Sequence, residues 1–101
     1  MIENLLDLIR YHDQQIASRS LSGKLGLNQA VTLYAMDQGE TISNESSPKA
    51  KLILVLEGQL GITQEAQDIQ LSAGGVISLM PEQVHHLTAI TQCKYLQIIL
   101  D

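Results

Sequence analysis

The sequence predicts an all-β fold, a closed barrel or a two-sheet sandwich, preceded by one N-terminal amphipathic α-helix. Beyond residue 28, short apolar runs of strand length follow one another and are separated by turn residues. No helical period interrupts them, and many short strands without crossover helices argue against an α/β fold. Before residue 28 the apolar period is helical instead.

Chain length and composition indicate one compact domain. A chain of 101 residues is typical of a single domain. With three Tyr and neither Phe nor Trp, its core must be mainly aliphatic. We expect residues 1–28 to form the helix and a linker, and residues 29–101 to form the barrel.

The N-terminal helix is predicted over residues 2–17. Polar residues separate apolar ones that recur at helical spacing: Ile2, Leu5, Leu6, Ile9 and Ile16. Serine and glycine residues between 18 and 26 then predict a turn-rich link.

The barrel strands are predicted from apolar runs between turns. The runs cover residues 29–37, 52–57, 59–63, 67–71, 76–80, 84–91 and 94–100. The clearest turns lie at Glu57-Gly58-Gln59 and at residues 72–75. The polar segment 39–51, rich in Ser and Asn, is predicted to be the longest loop of the β-region.

Charge and cysteine content exclude several classes of function. The net charge of −5 at pH 7 has the wrong sign for binding nucleic acid or an anionic membrane surface. No apolar run approaches the roughly 20 residues that span a bilayer. Glu3, Asp7 and Arg10 interrupt any secretory signal, so we expect a cytoplasmic protein. Cys93 is the only cysteine, which excludes an intrachain disulfide, and we expect it to be a buried apolar residue.

Two spaced motifs resemble those of the cupin superfamily, of the small single-domain, conserved-barrel type. The first motif is matched in spacing by Gly39, Glu45, Ser47, Lys51 and Gly58. The second is matched by Gly75, Pro81, Gln83, His86 and Ile90. The resemblance covers residues 30–100 and implies a jelly-roll barrel, that is, a double-stranded β-helix, often dimeric and with a pocket at its mouth.

The resemblance also identifies candidate site residues. The first cupin motif normally carries His, His and Glu where this chain has Glu45, Ser47 and Lys51, so His86 is the one metal ligand left unchanged. Gln83 stands at the usual Gly and Ile90 at the usual Asn. The four candidates for lining the pocket are therefore Glu45, Ser47, Lys51 and His86.

These candidates do not complete a metal site. A catalytic divalent metal usually takes three protein ligands, and Glu45 with His86 supplies two. His85 is expected to point outward, because neighbouring strand residues face opposite sides of a sheet. The ammonium of Lys51 repels a cation and suits an anionic ligand. We therefore expect no cofactor.

Three functions follow as alternatives. The favoured one is a non-catalytic or regulatory barrel that binds a small molecule in a metal-free pocket. The second is a metal-dependent enzyme of oxygenase or isomerase type, with a divalent metal on Glu45 and His86. The third is a structural module in which the N-terminal helix and one sheet form a homodimer, and a homodimer is expected in any case, because an amphipathic helix and aliphatic strands leave apolar surface to cover.

Overall fold

Two antiparallel sheets face each other in the structure, a computed structural model that describes residues 1–100 apart from the side chain of Asn44. The strands are β1 (Ile16–Ser20), β2 (Val31–Met36), β3 (Thr41–Glu45), β4 (Lys51–Glu57), β5 (Gln59–Gln64), β6 (Gln67–Ser72), β7 (Val76–Leu79), β8 (His85–Ala89) and β9 (Cys93–Ile99). One sheet has the order β1-β2-β9-β4-β7 and the other has β3-β8-β5-β6. The all-β prediction is confirmed.

The seven predicted strands all form, with bounds within two residues of those predicted. Their alternation explains why. In β4, Lys51, Ile53 and Val55 are buried, whereas the residues between them are half-buried. Alternate side chains of a strand lie on the same face of the sheet, so burial of one alternate set of apolar residues fixes which face points to the core. The helical content is small, and no helix within residues 1–100 has the length and apolar character to cross a membrane.

The core has two parts on opposite faces of the five-stranded sheet. The interior cluster fills the space between the sheets and contains Met36, Ile53, Val55, Leu60, Ile62, Leu79, Leu87, Ala89, Cys93 and Tyr95. The outer cluster lies on the other face of β2 and contains Ile9, Leu21, Val31, Leu33 and Ala35. Each fully buried aliphatic side chain contributes roughly 1.5–3 kcal/mol, so both clusters matter for stability.

The predicted helix over residues 2–17 is wrong. Leu5–Leu8 form a single 3-10 turn, and Ile16 begins β1, which pairs antiparallel with β2. Ile2, Leu5 and Leu8 instead pack on the outer cluster. A short isolated helix is marginal in water, whereas residues 16–20 gain a full strand ladder along the edge of β2. One short helix, α1 (Ser22–Leu25), occupies the predicted link.

Partly buried polar contacts hold residues 2–11, called here the N-terminal strap, against the barrel. The ammonium of Lys94 donates a hydrogen bond of 2.9 Å to the carbonyl of Leu6 and lies 5.1 Å from the ring centre of Tyr11. The Tyr11 hydroxyl donates to Glu57 Oε2 at 2.6 Å. The strap therefore closes the outer cluster over β2 and β9.

The predicted loop over residues 39–51 contains a further strand, β3, and that part of the prediction is wrong. β3 pairs with β8 at the edge of the four-stranded sheet, and its register shifts between Ile42 and Glu45. The strand is polar because it is short and lies at an edge. It places Glu45 opposite His85.

The turn between β4 and β5 gives the first testable prediction. Gly58 has φ 77°, and a Cβ there would lie 2.8 Å from Thr91 Oγ1 and still closer to the carbonyl oxygen of Gln92. Gly58→Ala should therefore lower the free energy of unfolding by more than about 3 kcal/mol in a urea titration. Gly74→Ala is the control: Gly74 has φ 92°, but a Cβ there meets no atom within 4 Å, so only about 1 kcal/mol should be lost. Equal losses in both variants would contradict the close approach at Gly58.

Candidate functional site

Polar side chains gather at one end of the barrel interior. β4 ends and β5 begins at the Gly58 turn, so Lys51 and Gln64 lie at the end remote from that turn. His85 pairs with Gln64 on one side and with Glu45 on the other. We call this group the polar mouth and define it as Tyr34, Glu45, Lys51, Gln64, His85 and Tyr95.

His85, not His86, faces the interior. The expectation that His85 points outward is wrong, since His85 is 3% exposed and shares its strand face with the buried Leu87 and Ala89. His86 lies on the opposite face, half-buried and across from Thr63. The apolar alternation of Leu87 and Ala89 sets the register of β8 and outweighs the spacing of the motif. That alternation was visible in the sequence and could have identified His85.

The hydrogen bonds of His85 determine its chemistry. Its Nδ1 lies 3.2 Å from the carbonyl oxygen of Gln83. Because a carbonyl oxygen only accepts, Nδ1 carries the proton in the neutral ring and Nε2 presents a lone pair. Nε2 is buried, has no hydrogen-bond partner among the described residues, and lies 3.6 Å from Glu45 Oε2. While the His85 ring is neutral, two acceptors therefore face each other across a short gap.

Gln83 orders the neighbouring amides. Its Oε1 accepts a hydrogen bond of 3.2 Å from the backbone N–H of Met80, which fixes the orientation of the Gln83 amide. Its Nε2 therefore points to Gln64 and donates to Gln64 Oε1 at 3.0 Å. The Nε2 of Gln64 is left buried without a partner among residues 1–100. This donor belongs to the polar mouth.

Two tyrosines form the wall on β2 and β9. Tyr34 and Tyr95 stack with ring centres 4.8 Å apart and an angle of 15° between the rings. Burial raises the pKa of Tyr95, and the nearby Tyr34 and Glu45 raise it further. Burial and Glu45 also raise the pKa of Tyr34, while a hydrogen bond from Gln97 opposes the change. Both hydroxyls therefore stay protonated at neutral pH, and that of Tyr95 is buried with no partner in the described part of the chain.

Lys51 brings a positive charge into the same interior. It is 6% exposed and shares a strand face with Ile53 and Val55 of the interior cluster. Its ammonium has no hydrogen-bond or ion-pair partner among the described residues. A cation without a counter-charge at this end of the barrel suits an anionic ligand.

The other predicted pocket residues lie elsewhere. Ser47 is in the loop after β3, where its Oγ accepts from the backbone N–H of Lys49 at 3.2 Å and its carbonyl accepts from that of Glu82 at 2.7 Å. His86 lines an open cleft of about 410 Å³ together with Thr63, Glu65, Glu82, Gln83, Val84 and His85. His85 is the one member of the polar mouth that also lines this cleft.

The residues present do not fit a catalytic divalent metal. Among the described residues no group of three His, Cys, Asp or Glu side chains could hold a metal ion. Glu45 and His85 are two potential ligands, His86 faces the other side of the sheet, and Lys51 repels a cation. Cys93 supplies no thiolate either, because burial raises the pKa of its thiol to about 11. Its predicted burial is confirmed.

Comparison with solved structures identifies the fold family. No family model matches the sequence, and no curated protein matches it significantly. A cupin superfamily protein from Desulfitobacterium hafniense is 27% identical, covers 95% of this chain and 86% of its own, and superposes with a TM-score of 0.85. This chain is a cupin by fold.

Two further structures agree with the jelly-roll fold. A cupin 2 conserved barrel domain protein from Leptotrichia buccalis is 24% identical, covers 97% of this cupin and 47% of its own chain, and has a TM-score of 0.87. A protein of unknown function from Streptococcus pyogenes is 21% identical, covers 100% and 87%, and has a TM-score of 0.88. At these identities the likeness shows the fold and not the activity.

The hydroxyl of Tyr95 gives a testable prediction about the stability of this cupin. Because that hydroxyl has no partner, Tyr95→Phe should leave the free energy of unfolding at pH 7 unchanged or raise it by up to about 1 kcal/mol. The raised pKa in the folded state means that stability falls as the pH rises above the unfolded value of 10.0. Above pH 10, the free energy of unfolding of Tyr95→Phe should therefore exceed that of the wild type by a margin that grows with pH. Urea titrations at a series of pH values measure this margin.

Tyr11→Phe is the matched control, because its hydroxyl donates to the carboxylate of Glu57. This variant should lose about 1–2 kcal/mol at pH 7. A comparable loss in Tyr95→Phe would mean that its hydroxyl has a partner in solution.

Proposed function

We propose that this cupin is a non-catalytic protein that binds a small polar molecule at the polar mouth without a metal. One observation carries the proposal. His85 Nε2, Gln64 Nε2 and the Tyr95 hydroxyl are buried and have no hydrogen-bond partner among residues 1–100. Buried polar atoms are nearly always paired, so a cluster of unpaired ones suits a bound polar molecule.

Two features support this choice over catalysis. The potential metal ligands number two, with a lysine facing the same interior. The lone thiol is buried and protonated, so it is no nucleophile at neutral pH. His85 also lines the open cleft of about 410 Å³, so one residue of the mouth borders solvent-filled space.

Metal content and thermal shift together test the proposal. Untagged protein purified without chelator, then incubated with Fe, Mn, Ni or Zn, should carry far less than one metal ion per chain by mass spectrometry. A panel of small polar metabolites should contain a compound that raises the Tm of the wild type. That shift should persist in His12→Ala, which changes an exposed histidine outside the mouth, and disappear in His85→Ala.

Either of two results would overturn it. Stoichiometric metal that is lost in His85→Ala would favour the metal-dependent enzyme instead. A panel in which no compound stabilises the wild type would remove small-molecule binding.

A homodimer is a second proposal, supported by the outer face of β4 and β7. Leu52 and Leu54 are half-buried there and belong to neither core cluster, and Val76, opposite Leu54, is 60% exposed. These residues lie beyond the part of the sheet that the strap covers. A second copy of the chain could bury this apolar face, since symmetric pairing of equal patches is the commonest form of assembly.

Sedimentation velocity at micromolar concentration tests the dimer. The wild type should sediment as two chains per particle, and Leu54→Glu should sediment as one. Gln70→Glu, an exposed change on the opposite sheet, should leave the dimer intact. A wild type with one chain per particle would contradict the proposal.

A further inference from the structure

We infer that the molecule bound at the polar mouth is a small carboxylate whose neighbouring carbon carries a hydroxyl or ammonium group. The inference rests on the proposed function and names its ligand class. It follows from the polar groups of the mouth. The ammonium of Lys51 and the Gln64 amide can donate and are called here the donating side, whereas His85 Nε2 and Glu45 can accept and are called the accepting side.

The donating side calls for an anion. Lys51 is 6% exposed, and its ammonium has no ion-pair or hydrogen-bond partner among the described residues. Lys51 pairs with Leu79 of the neighbouring strand. The next residue, Met80, donates its N–H to the Gln83 side chain, and Gln83 donates to Gln64. This chain of contacts joins the strand end at Lys51 to the one that carries the unpaired Gln64 Nε2. An ammonium and an amide N–H₂ group are donors from which a carboxylate accepts hydrogen bonds.

The accepting side calls for a donor on the ligand. The neutral ring of His85 presents the Nε2 lone pair, and Glu45 Oε2 lies 3.6 Å from it. Both atoms accept hydrogen bonds, and neither can satisfy the other while His85 is neutral. A hydroxyl or an ammonium group placed between them would bind both. A simple carboxylate has no such donor and would meet the repulsion of the Glu45 carboxylate.

Charge and space limit the ligand further. The mouth holds one cation, Lys51, and one side chain that is anionic at neutral pH, Glu45. A dicarboxylate would therefore bring a second negative charge without a partner. Below the mouth, Ile62, Leu79 and Leu87 fill the barrel. The ligand must be a monocarboxylate or a zwitterion with few carbon atoms, held in one orientation by the two sides.

Calorimetric titration of the wild type with four matched compounds tests the inference. Lactate carries the carboxylate and a hydroxyl, and alanine carries the carboxylate and an ammonium group. Propionate lacks the neighbouring donor, and lactamide lacks the charge. Lactate or alanine should bind at least about tenfold more tightly than propionate and than lactamide, since each omission leaves buried groups unpaired. Whichever of the two binds better identifies the donor.

Two lysine variants separate recognition of charge from fold. Lys51→Met should lower the affinity for the carboxylate ligand at least about tenfold and leave the weaker affinity for lactamide unchanged. Lys49→Met, an exposed change of the same charge two residues away, should bind like the wild type. Circular dichroism checks that both variants fold, and the compound series on the wild type stands even if Lys51→Met does not.

The outcomes distinguish this inference from the proposed function. Equal affinities for lactate, propionate and lactamide, or an unchanged affinity for lactate in Lys51→Met, would overturn the inference that the ligand is a carboxylate. A second outcome is that none of the four probes binds at millimolar concentration, while another compound still raises the Tm of the wild type but not that of His85→Ala. This result would overturn the proposed ligand class, and the proposed binding function would stand. If no compound of any class stabilises the wild type, both fail.

Discussion

The register of β8 is the constraint on which the site depends. Leu87 and Ala89 are buried on the inner face of the four-stranded sheet, and a strand that turns those two residues inward must turn His85 inward as well. Shifting the register by one residue would expose both apolar side chains and bring His86 inside. Glu45 and Gln64 meet His85 because they are its cross-strand neighbours, so one packing choice assembles three of the six residues of the polar mouth.

The five-stranded sheet depends on a different device, because both of its faces must be covered. The barrel interior covers one face, and the N-terminal strap covers part of the other. The strap has little regular structure of its own. It is held by its apolar side chains and by the contacts of Lys94 and Tyr11, so the outer cluster and the strap stabilise each other. This arrangement leaves the interior free to carry polar groups at one end.

How much the sequence could predict depended on the period of its apolar residues. Strands such as β4 and β9 were predictable because apolar runs between turns identify them. The strap was mistaken for a helix because Ile2, Leu5 and Ile9 have helical spacing, and the same spacing also suits a segment that lies flat on a sheet. β3 was missed because Thr41–Glu45 carries one apolar residue, and only pairing with β8 reveals it. The orientation of His85 was predicted wrongly because the motif spacing was followed instead of the apolar alternation beside it.

The polar mouth is not a requirement of the fold. Each buried polar atom left unpaired costs about 1–3 kcal/mol, and an apolar side chain of similar volume would avoid that cost. In a domain whose whole stability is about 5–15 kcal/mol, three such atoms at the mouth are a large cost. A molecule that supplied the missing hydrogen bonds and the counter-charge would restore that stability on binding, because a ligand that binds only the folded state shifts the equilibrium toward it. Stability and ligand recognition are therefore opposed at the same atoms, so substitutions that relieve the unpaired groups should strengthen the fold and weaken binding together.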